Sequence, residues 1–234
     1  LSPVGKYDIL TGFGSLSSTN YSFQFTSGKL TVVKAVVNVI ADDKSRIYGN
    51  ANPAFTASYT GFVNGETLAT SGIAGTPFLS TNANLLSPIG DYVITSNFGT
   101  LVSDRYTFNF VSGKLAVTKA TLTVSADNKS RAYGDANPAL TATFSGFKNG
   151  QELASSGVSG SVSLITDAVA TSPVGDYAIN IAQGTLAADN YDFSFVNGNL
   201  SVGKATITVT ADNKARIYGY ANPEFTASYN GFKN

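Results

Sequence analysis

The sequence predicts an all-β protein built as a tandem array of 85-residue modules. Its central stretch, Lys119 to Pro138, has near-copies that start at Lys34 and at Lys204, and both spacings are 85 positions (204 − 119 = 119 − 34). A fixed period of this size indicates repeated domains. Each period also holds about six short runs in which apolar and polar residues alternate, with turn residues every 8–12 positions or so, which is typical of β modules.

The period fixes the expected domain bounds. Residues 35–119 and 120–204 are predicted to be complete modules. Residues 1–34 correspond to the last part of a module and residues 205–234 to the first part of the next, so the chain is expected to begin and end inside modules of a longer protein. Each complete module is long enough to bury a core of its own.

Composition excludes several classes of function. Fifteen basic and fifteen acidic residues leave no net charge, which argues against nucleic acid or an anionic membrane surface as a partner. Cysteine, histidine, methionine and tryptophan are absent, so disulfides, thiolate metal sites and Ser-His or Cys-His catalysis are excluded. No apolar run approaches the roughly 18 residues of a membrane span. We therefore expect neither an enzyme nor a membrane-inserted segment.

The first half of a module is read most easily in the copy that starts at Ala120. Residues 121–125 alternate between Thr or Ser and apolar residues, which predicts a half-buried strand. Residues 126–138 are crowded with Asp, Asn, Gly and Pro and predict a turn-rich loop. A second strand is expected over 140–144. Residues 149–157 are the one helical candidate, with Asn149 as its N-cap and Gly157 at its end.

The second half is expected to contain three or four strands. Residues 158–170 predict a strand with a loose end, 172–175 a turn, and 177–181 an alternating strand. Asn197-Gly198 is a favoured pair for a two-residue type I′ hairpin loop, which would place Phe195 opposite Leu200 and Tyr191 opposite Lys204. In that register the aromatic side chains of the first strand face the core. These elements are compatible with a β-grasp-like sheet carrying one short helix, or with an Ig-like β-sandwich.

Two groups of charged residues are candidate sites. Four acidic residues in turns could supply oxygen ligands to Ca²⁺, although their spacing departs from a full calcium loop and Asp is common in turns anyway; they are Asp127, Asp135, Asp189 and Asp192. Three arginines recur at equivalent positions, namely Arg46, Arg131 and Arg216. They are expected to be surface charge, with a weak glycan or polyanion contact as the sharper hypothesis.

The repeated Lys-Ala pair is predicted to be the joint between modules; its copies are Lys34-Ala35, Lys119-Ala120 and Lys204-Ala205. Inward-facing positions are odd before the joint, as at Val117, and even after it, as at Leu122. An unbroken strand would then show opposite faces to successive cores, whereas a bulge or bend would restore the same side. No Gly or Pro cluster loosens the pair, so we expect a short, extended and stiff connection.

Three stretches together resemble the MBG-type repeats of bacterial surface proteins. They are the string Ala126–Pro138 with its Tyr-Gly-Asp-Ala-Asn-Pro ending, the later Ser-Pro-Val-Gly-Asp-Tyr at 172–177, and the closing Asn-Tyr-x-Phe-x-Phe-Val at 190–196. The resemblance covers the whole chain. It implies an extracellular segment at the bacterial cell surface, in large adhesins that include gliding-motility adhesins of Bacteroidetes.

The same resemblance implies a β-grasp fold, because the family's name is tied to mucin-binding modules of that fold. It implies no catalytic residue and no cofactor. Two functions stay open from the sequence: a stiff non-catalytic stalk that gives an adhesin its length, and a module that binds glycan or mucin directly through loop Tyr, Asn and Arg residues. Surface glycans, mucin or an abiotic substratum are the expected outside partners, and neighbouring repeats are the expected partners within the chain.

Overall fold

In the computed structural model, which describes residues 2–233, the chain forms two compact units. The first ends at Thr118 and the second begins at Lys119. Each unit holds one complete set of module strands together with a smaller strand pair from an incomplete module. The two units repeat the same elements at the 85-residue spacing, so one description serves for both.

The strands are short, and their residues carry the predicted alternation. In the first unit they are β1 Gly5–Ile9, β2 Gly28–Val32, β3 Ala35–Ala41, β4 Lys44–Ile47, β5 Ala57–Thr60, β6 Phe78–Ser80, β7 Gly90–Asn97, β8 Tyr106–Val111 and β9 Gly113–Thr118. In the second unit they are β10 Ala120–Ala126, β11 Lys129–Ala132, β12 Ala142–Ser145, β13 Ser163–Ile165, β14 Gly175–Ala182, β15 Tyr191–Val196, β16 Gly198–Gly203, β17 Thr208–Ala211 and β18 Ala227–Asn230.

Seven strands of each complete module form two sheets. In the second unit one sheet has the order β12-β10-β15 and the other the order β11-β16-β14-β13; the first unit repeats this as β5-β3-β8 and β4-β9-β7-β6. Both sheets mix parallel and antiparallel pairs, since β10 runs parallel to β15 and β11 parallel to β16. The predicted all-β class and the tandem organisation are confirmed. Of the two architectures left open, the pair of sheets corresponds to the sandwich.

The core lies between the two sheets and is built from the inward positions of alternating strands. Val124 of β10, Ile179 of β14 and Leu200 of β16 are fully buried and belong to one apolar cluster. Phe193 and Phe195 of β15 pack against that cluster from the other sheet. Inward residues from both sheets therefore meet in one layer, as face-to-face sheet packing requires. The prediction that the aromatic stripe faces the core is confirmed.

The predicted closing hairpin is wrong. β15 does not pair with β16: Tyr191 lies opposite Ala120 and Phe195 opposite Val124 in a parallel ladder, while β16 pairs with β14 and β11 in the other sheet. The chain crosses from one sheet to the other at Asn197, the single residue between β15 and β16. A hairpin and a crossing present the same inward positions to a core, which is why the alternating pattern did not separate them.

Glycine at this crossing serves close approach rather than positive φ. Gly198 and its counterpart Gly113 are not among the residues with positive φ, so neither adopts the backbone that a type I′ loop requires. A Cβ placed on Gly113 would lie 2.2 Å from the carbonyl oxygen of Ala41, and one on Gly198 would lie 2.6 Å from that of Ala126. Only glycine lets the end of β3 or β10 pass so close.

The expected helix over 149–157 is also wrong. Asn149 and Gly150 have φ of 55° and 68°, and the backbone N–H of Gln151 donates to the Lys148 carbonyl at 3.0 Å, which defines a type I′ turn. Positive φ is incompatible with a helix N-cap. One 3₁₀ turn follows at Leu153–Ser155 and Gly157 comes after it with φ 75°. The first unit repeats the turn at Asn64-Gly65, with φ of 57° and 70°.

Candidate functional site

The recurring arginine is an internal brace of the module. In the first unit, Arg46 on β4 is only 6% exposed. Its Nε donates to the Asn52 side-chain oxygen at 2.8 Å, and its terminal nitrogens donate to the carbonyl oxygens of Ile47 and Asn84. Asn52 in turn donates from its amide nitrogen to the Ala83 carbonyl at 2.8 Å. One guanidinium thus ties the Tyr-Gly-x-Ala-Asn-Pro loop to the loop that follows β6.

The second unit repeats each bond of the brace and adds one, to the Ala170 carbonyl. Arg131 is 9% exposed and donates from Nε to the Asn137 side-chain oxygen at 2.7 Å. Its other nitrogens reach the carbonyl oxygens of Ala132 at 3.1 Å, Ala170 at 3.4 Å and Val169 at 2.5 Å. The Asn137 amide nitrogen donates to the Ala168 carbonyl at 2.6 Å. A buried guanidinium is tolerated here because its donors are occupied by carbonyl and amide oxygens.

The expectation that these arginines lie on the surface is therefore wrong for Arg46 and Arg131. Their donors face the protein interior and are not available to a glycan or a polyanion. Arg216 is exposed, and within residues 2–233 it makes one hydrogen bond, to the Tyr220 carbonyl at 3.2 Å; its ligand contact stays a prediction. Residues 169 and 170, which accept from Arg131, have no counterparts for Arg216 within the 234 residues, since 169 + 85 = 254.

Sequence reasoning missed the asparagines of the brace. A signal was present: an Arg and an Asn six residues apart recur in all three copies, as Arg46/Asn52, Arg131/Asn137 and Arg216/Asn222. A charged residue amid Asp, Asn and Lys was instead interpreted as part of a solvated loop. A polar pair that is kept at fixed spacing in every repeat indicates a mutual contact.

A second brace closes the opposite side of the same loop. The Asp127 carboxylate accepts hydrogen bonds from the hydroxyls of Thr141 at 2.5 Å and Thr143 at 2.7 Å, next to strand β12. These bonds, chiefly that from Thr141, hold the pKa of the Asp127 carboxyl below its usual value. Asp42 accepts from Ser58 and Thr56 in the same way, and these bonds lower its pKa. A lowered carboxyl pKa means that the folded state stabilises the ionised carboxylate relative to the protonated acid.

This geometry predicts a loss of stability in acid. Because the pKa is depressed in the folded state, the contribution is fully present above the unfolded value of 3.8 and is lost as pH falls below it. We expect Asp127→Asn to lower the melting temperature of the chain at pH 7 and to have a much smaller effect near pH 3. Thermal unfolding at both values measures this. Asp189→Asn, at an exposed position, is the control, and equal effects of Asp127→Asn at both pH values would contradict the prediction.

The four acidic residues proposed for Ca²⁺ do not gather into one site. Asp127 is engaged by two hydroxyls, Asp135 lies 2.9 Å from the Lys233 Nζ, and Asp192 lies 3.5 Å from the Lys119 Nζ. Asp189 is exposed. Within residues 2–233 no three acidic side chains lie together in a way that could hold a metal ion. The carboxylates of Asp127, Asp135 and Asp192 are thus paired with hydroxyl or ammonium groups of the protein.

A buried tyrosine anchors the type I′ turn in each module. Tyr106, at the start of β8, is 2% exposed; its hydroxyl donates to Glu66 Oε2 at 2.6 Å and accepts from the Val63 N–H at 3.3 Å. The bond to Glu66 is the main reason that the pKa of Tyr106 is raised. Glu66 also pairs with Arg105 at 2.6 Å. In the second unit Tyr191 donates to Gln151 Oε1 at 2.5 Å and accepts from the Lys148 N–H at 3.0 Å.

The joint lysines hold the entry to the first strand of a module. Lys34 donates from Nζ to the Ser103 carbonyl at 2.6 Å. The next residue, Ala35, donates its N–H to the Arg105 carbonyl at 3.0 Å. Lys119 reaches the Ala188 carbonyl at 3.2 Å, and Ala120 N–H donates to the Asn190 carbonyl at 3.0 Å. At the third joint no strand begins until Thr208, four residues after Lys204. The predicted stiffness of the joints stays a prediction.

The surface of the complete modules offers shallow grooves. One groove in the first unit, about 580 Å³, lies beside β6 and β7 and is lined by Ser80, Thr81, Asn82, Asp91, Tyr92, Val93 and Thr95. Its lining mixes hydroxyls, an amide and one carboxylate with a tyrosine that also packs against the core. Among residues 2–233 no helix is long and apolar enough to cross a membrane.

Fold and braces together define a class of protein: a tandem array of two-sheet β modules, each closed by an internal arginine–asparagine brace at its Tyr-Gly loop. Comparison with protein families matches the MBG domain (YGX type) over residues 37–116, 122–201 and 207–234, which is well over half of the chain. The chain belongs to this family. The matched segments start 85 residues apart (122 − 37 = 207 − 122). A comparison with curated proteins finds no match.

Proposed function

We propose that the chain is a non-catalytic stalk segment of a large adhesin exposed on the bacterial cell surface. The observation that carries the proposal is the direct passage from one module to the next. In the first unit β2 ends at Val32 and β3 begins at Ala35, and both residues of the joint's Lys-Ala pair are hydrogen-bonded to the loop before β8. Such a passage adds length without a flexible linker.

The use of polar side chains supports the same proposal. Arg131, Asn137 and Asp127 recur in all three copies, and in the complete module they form hydrogen bonds with groups of the same module. A catalyst or a strong ligand site would direct such groups towards a pocket. The array then provides reach, and attachment to a host, to a substratum or during gliding resides in other parts of the protein or is spread weakly over repeats.

Pulling on the ends of the full chain tests the stalk proposal. We expect two equal unfolding steps, one for each complete module, at forces well above those that extend an unfolded chain. Each step releases 85 residues, or about 300 Å at roughly 3.6 Å per residue, less the folded length. A chain that extends gradually under force, without discrete unfolding steps, would contradict a stalk made of mechanically resistant modules.

Direct recognition of glycan or mucin is the second candidate. The groove on β6 and β7 favours it, because its hydroxyl, amide and carboxylate groups, among them those of Thr95, Asn82 and Asp91, can bond sugar hydroxyls. Screening the full chain on a glycan array decides between the candidates. The stalk proposal predicts no specific binding at micromolar concentration. Specific binding that Asp91→Ala abolishes would establish the second candidate, because Asp91 lines the groove and is exposed.

A further inference from the structure

In both units, one particular end of a module meets the module that follows it. In the first unit, Pro3 and Val4 of the incomplete leading module share a groove of about 370 Å³ with Val63 and Asn64 of the complete module. Val63 and Asn64 belong to the type I′ turn anchored by Tyr106. In the second unit, Lys233 of the trailing module reaches Asp135 of the complete module at 2.9 Å.

The residues that take part are equivalent in the two units. Lys233 occupies the position of Val63, since 63 + 85 + 85 = 233. On the other side, Pro3 and Val4 correspond to Pro173 and Val174, and Gly134 next to Asp135 donates its N–H to the Ala170 carbonyl at 3.1 Å. This bond places the Tyr-Gly-Asp loop beside the Ser-Pro-Val-Gly turn. The same end of a module therefore lies beside the same position of its successor in both units, which is Val63 in the first and Lys233 in the second.

Gly134 shows how close the approach is. Its φ is +82°, and a Cβ built on it would lie 2.2 Å from Cβ and 2.6 Å from Cγ of Lys233. Gly219, at the equivalent position of the trailing module, has nearly the same backbone, with φ +91°, and nothing within 4 Å. The Lys233 ammonium is also the main reason that the pKa of Asp135 is lowered. The close steric approach of Gly134 to Lys233 and the ion pair of Asp135 with Lys233 therefore occur at the same place.

We propose that the Tyr-Gly-x loop and the Ser-Pro-Val-Gly turn form a docking surface whose partner is the type I′ turn of the next module in the chain. The inference rests on the proposed stalk function, because docking gives an array stiffness that the short joints alone do not. The surface accepts either an apolar residue, as at Val63, or a lysine opposite an acidic residue, as at Lys233. Which residue stands at this position sets the preference of one module for its successor.

Spin labels test the docking directly, because the chain has no cysteine of its own. Ser194→Cys and Glu224→Cys place one label on the complete module and one on the trailing module, at exposed positions. Pulsed electron spin resonance on the full chain should give one narrow distance distribution. Gly134→Ala should broaden it several-fold, because its Cβ collides with Lys233. Gly219→Ala should leave it narrow, because it introduces similar backbone strain without a collision.

A charge reversal covers the case in which Gly134→Ala unfolds the module. Asp135 and Lys233 are both partly exposed, with side-chain exposures of 47% and 41%, so their replacement is tolerated by the fold. Asp135→Lys alone should broaden the distribution, and adding Lys233→Asp should narrow it again. A broad distribution in the parent chain, or equal broadening by the single and double changes, would overturn the docking surface. Discrete unfolding steps would still support the stalk, so the two proposals fail separately.

Discussion

Replacing Gly113 by alanine is expected to destabilise the first unit by about 3 kcal/mol, at the upper end of what overpacking costs in a well-packed interior. The added Cβ would lie 2.2 Å from the Ala41 carbonyl oxygen and 2.8 Å from the carbonyl carbon. Both atoms belong to backbone at the end of β3, which cannot move without disturbing the ladder to β8. The sheet crossing at Ser112 would have to open.

Gly28 provides the matched control, because it stands at the equivalent position of the incomplete leading module. A Cβ on Gly28 meets only the Ile9 side chain, at 3.7 Å, which is an ordinary contact. Urea unfolding of the full chain should show a clear loss for Gly113→Ala and little change for Gly28→Ala. Equal effects would mean that the glycine serves a local turn, as in the hairpin first predicted, and would contradict the crossing.

Removing the guanidinium of Arg131 is expected to cost about 3–5 kcal/mol, because hydrogen bonds to a charged group contribute roughly 1.5–3 kcal/mol each and several are lost together. Arg131→Ala leaves the carbonyls of Val169 and Ala170 and the side-chain oxygen of Asn137 without this donor, and it removes the buried guanidinium that joins the two loops. Arg131→Lys should recover little, since an ammonium lacks the planar fork that reaches both loops.

Arg216→Ala is the control for this change, because Arg216 is exposed and bonds only the Tyr220 carbonyl among the contacts found in residues 2–233. Its replacement should shift the unfolding midpoint by no more than a surface substitution does, within about 0.5 kcal/mol. Chemical denaturation of the two variants beside the parent chain measures the difference. If Arg131→Ala lowered the free energy of unfolding as little as Arg216→Ala does, the brace would not contribute to stability.

Much of the fold could be predicted from the sequence because it depends on alternation. Leu122 and Val124 were expected to face inwards after the joint and Leu115 and Val117 before it, and all four are buried. Alternation reports which face a residue is on, and it does not report which strand is its neighbour. The pairing of β15 with β10 depends on contacts between residues 71 positions apart, so no local pattern contained it.

The polar residues were harder to predict for a related reason. Arg131 lies in a stretch whose composition predicts a solvated loop, although it forms part of strand β11, and its burial depends on carbonyls of residues 169 and 170, almost forty positions away. The Asn149-Gly150 pair was a candidate helix cap, whereas the similar Asn197-Gly198 pair was assigned the type I′ turn. In the structure the first pair forms the type I′ turn and the second forms the crossing between the two sheets. Turn propensity correctly indicated that Asn-Gly favours a type I′ turn. Packing against Tyr191 and Ala126 decided which Asn-Gly pair forms that turn and which forms the crossing.

In the complete modules, the recurring Arg and Asn form an internal brace rather than a contact surface. Hydrogen exchange of the arginine Nε–H groups, measured by NMR on the full chain, tests this most directly. Slow exchange is expected at Nε of Arg46 and Arg131, because both guanidinium groups are buried and each Nε donates to an asparagine side chain, and fast exchange is expected at Nε of Arg216. Fast exchange at all three would show guanidinium groups open to solvent and would contradict the claim.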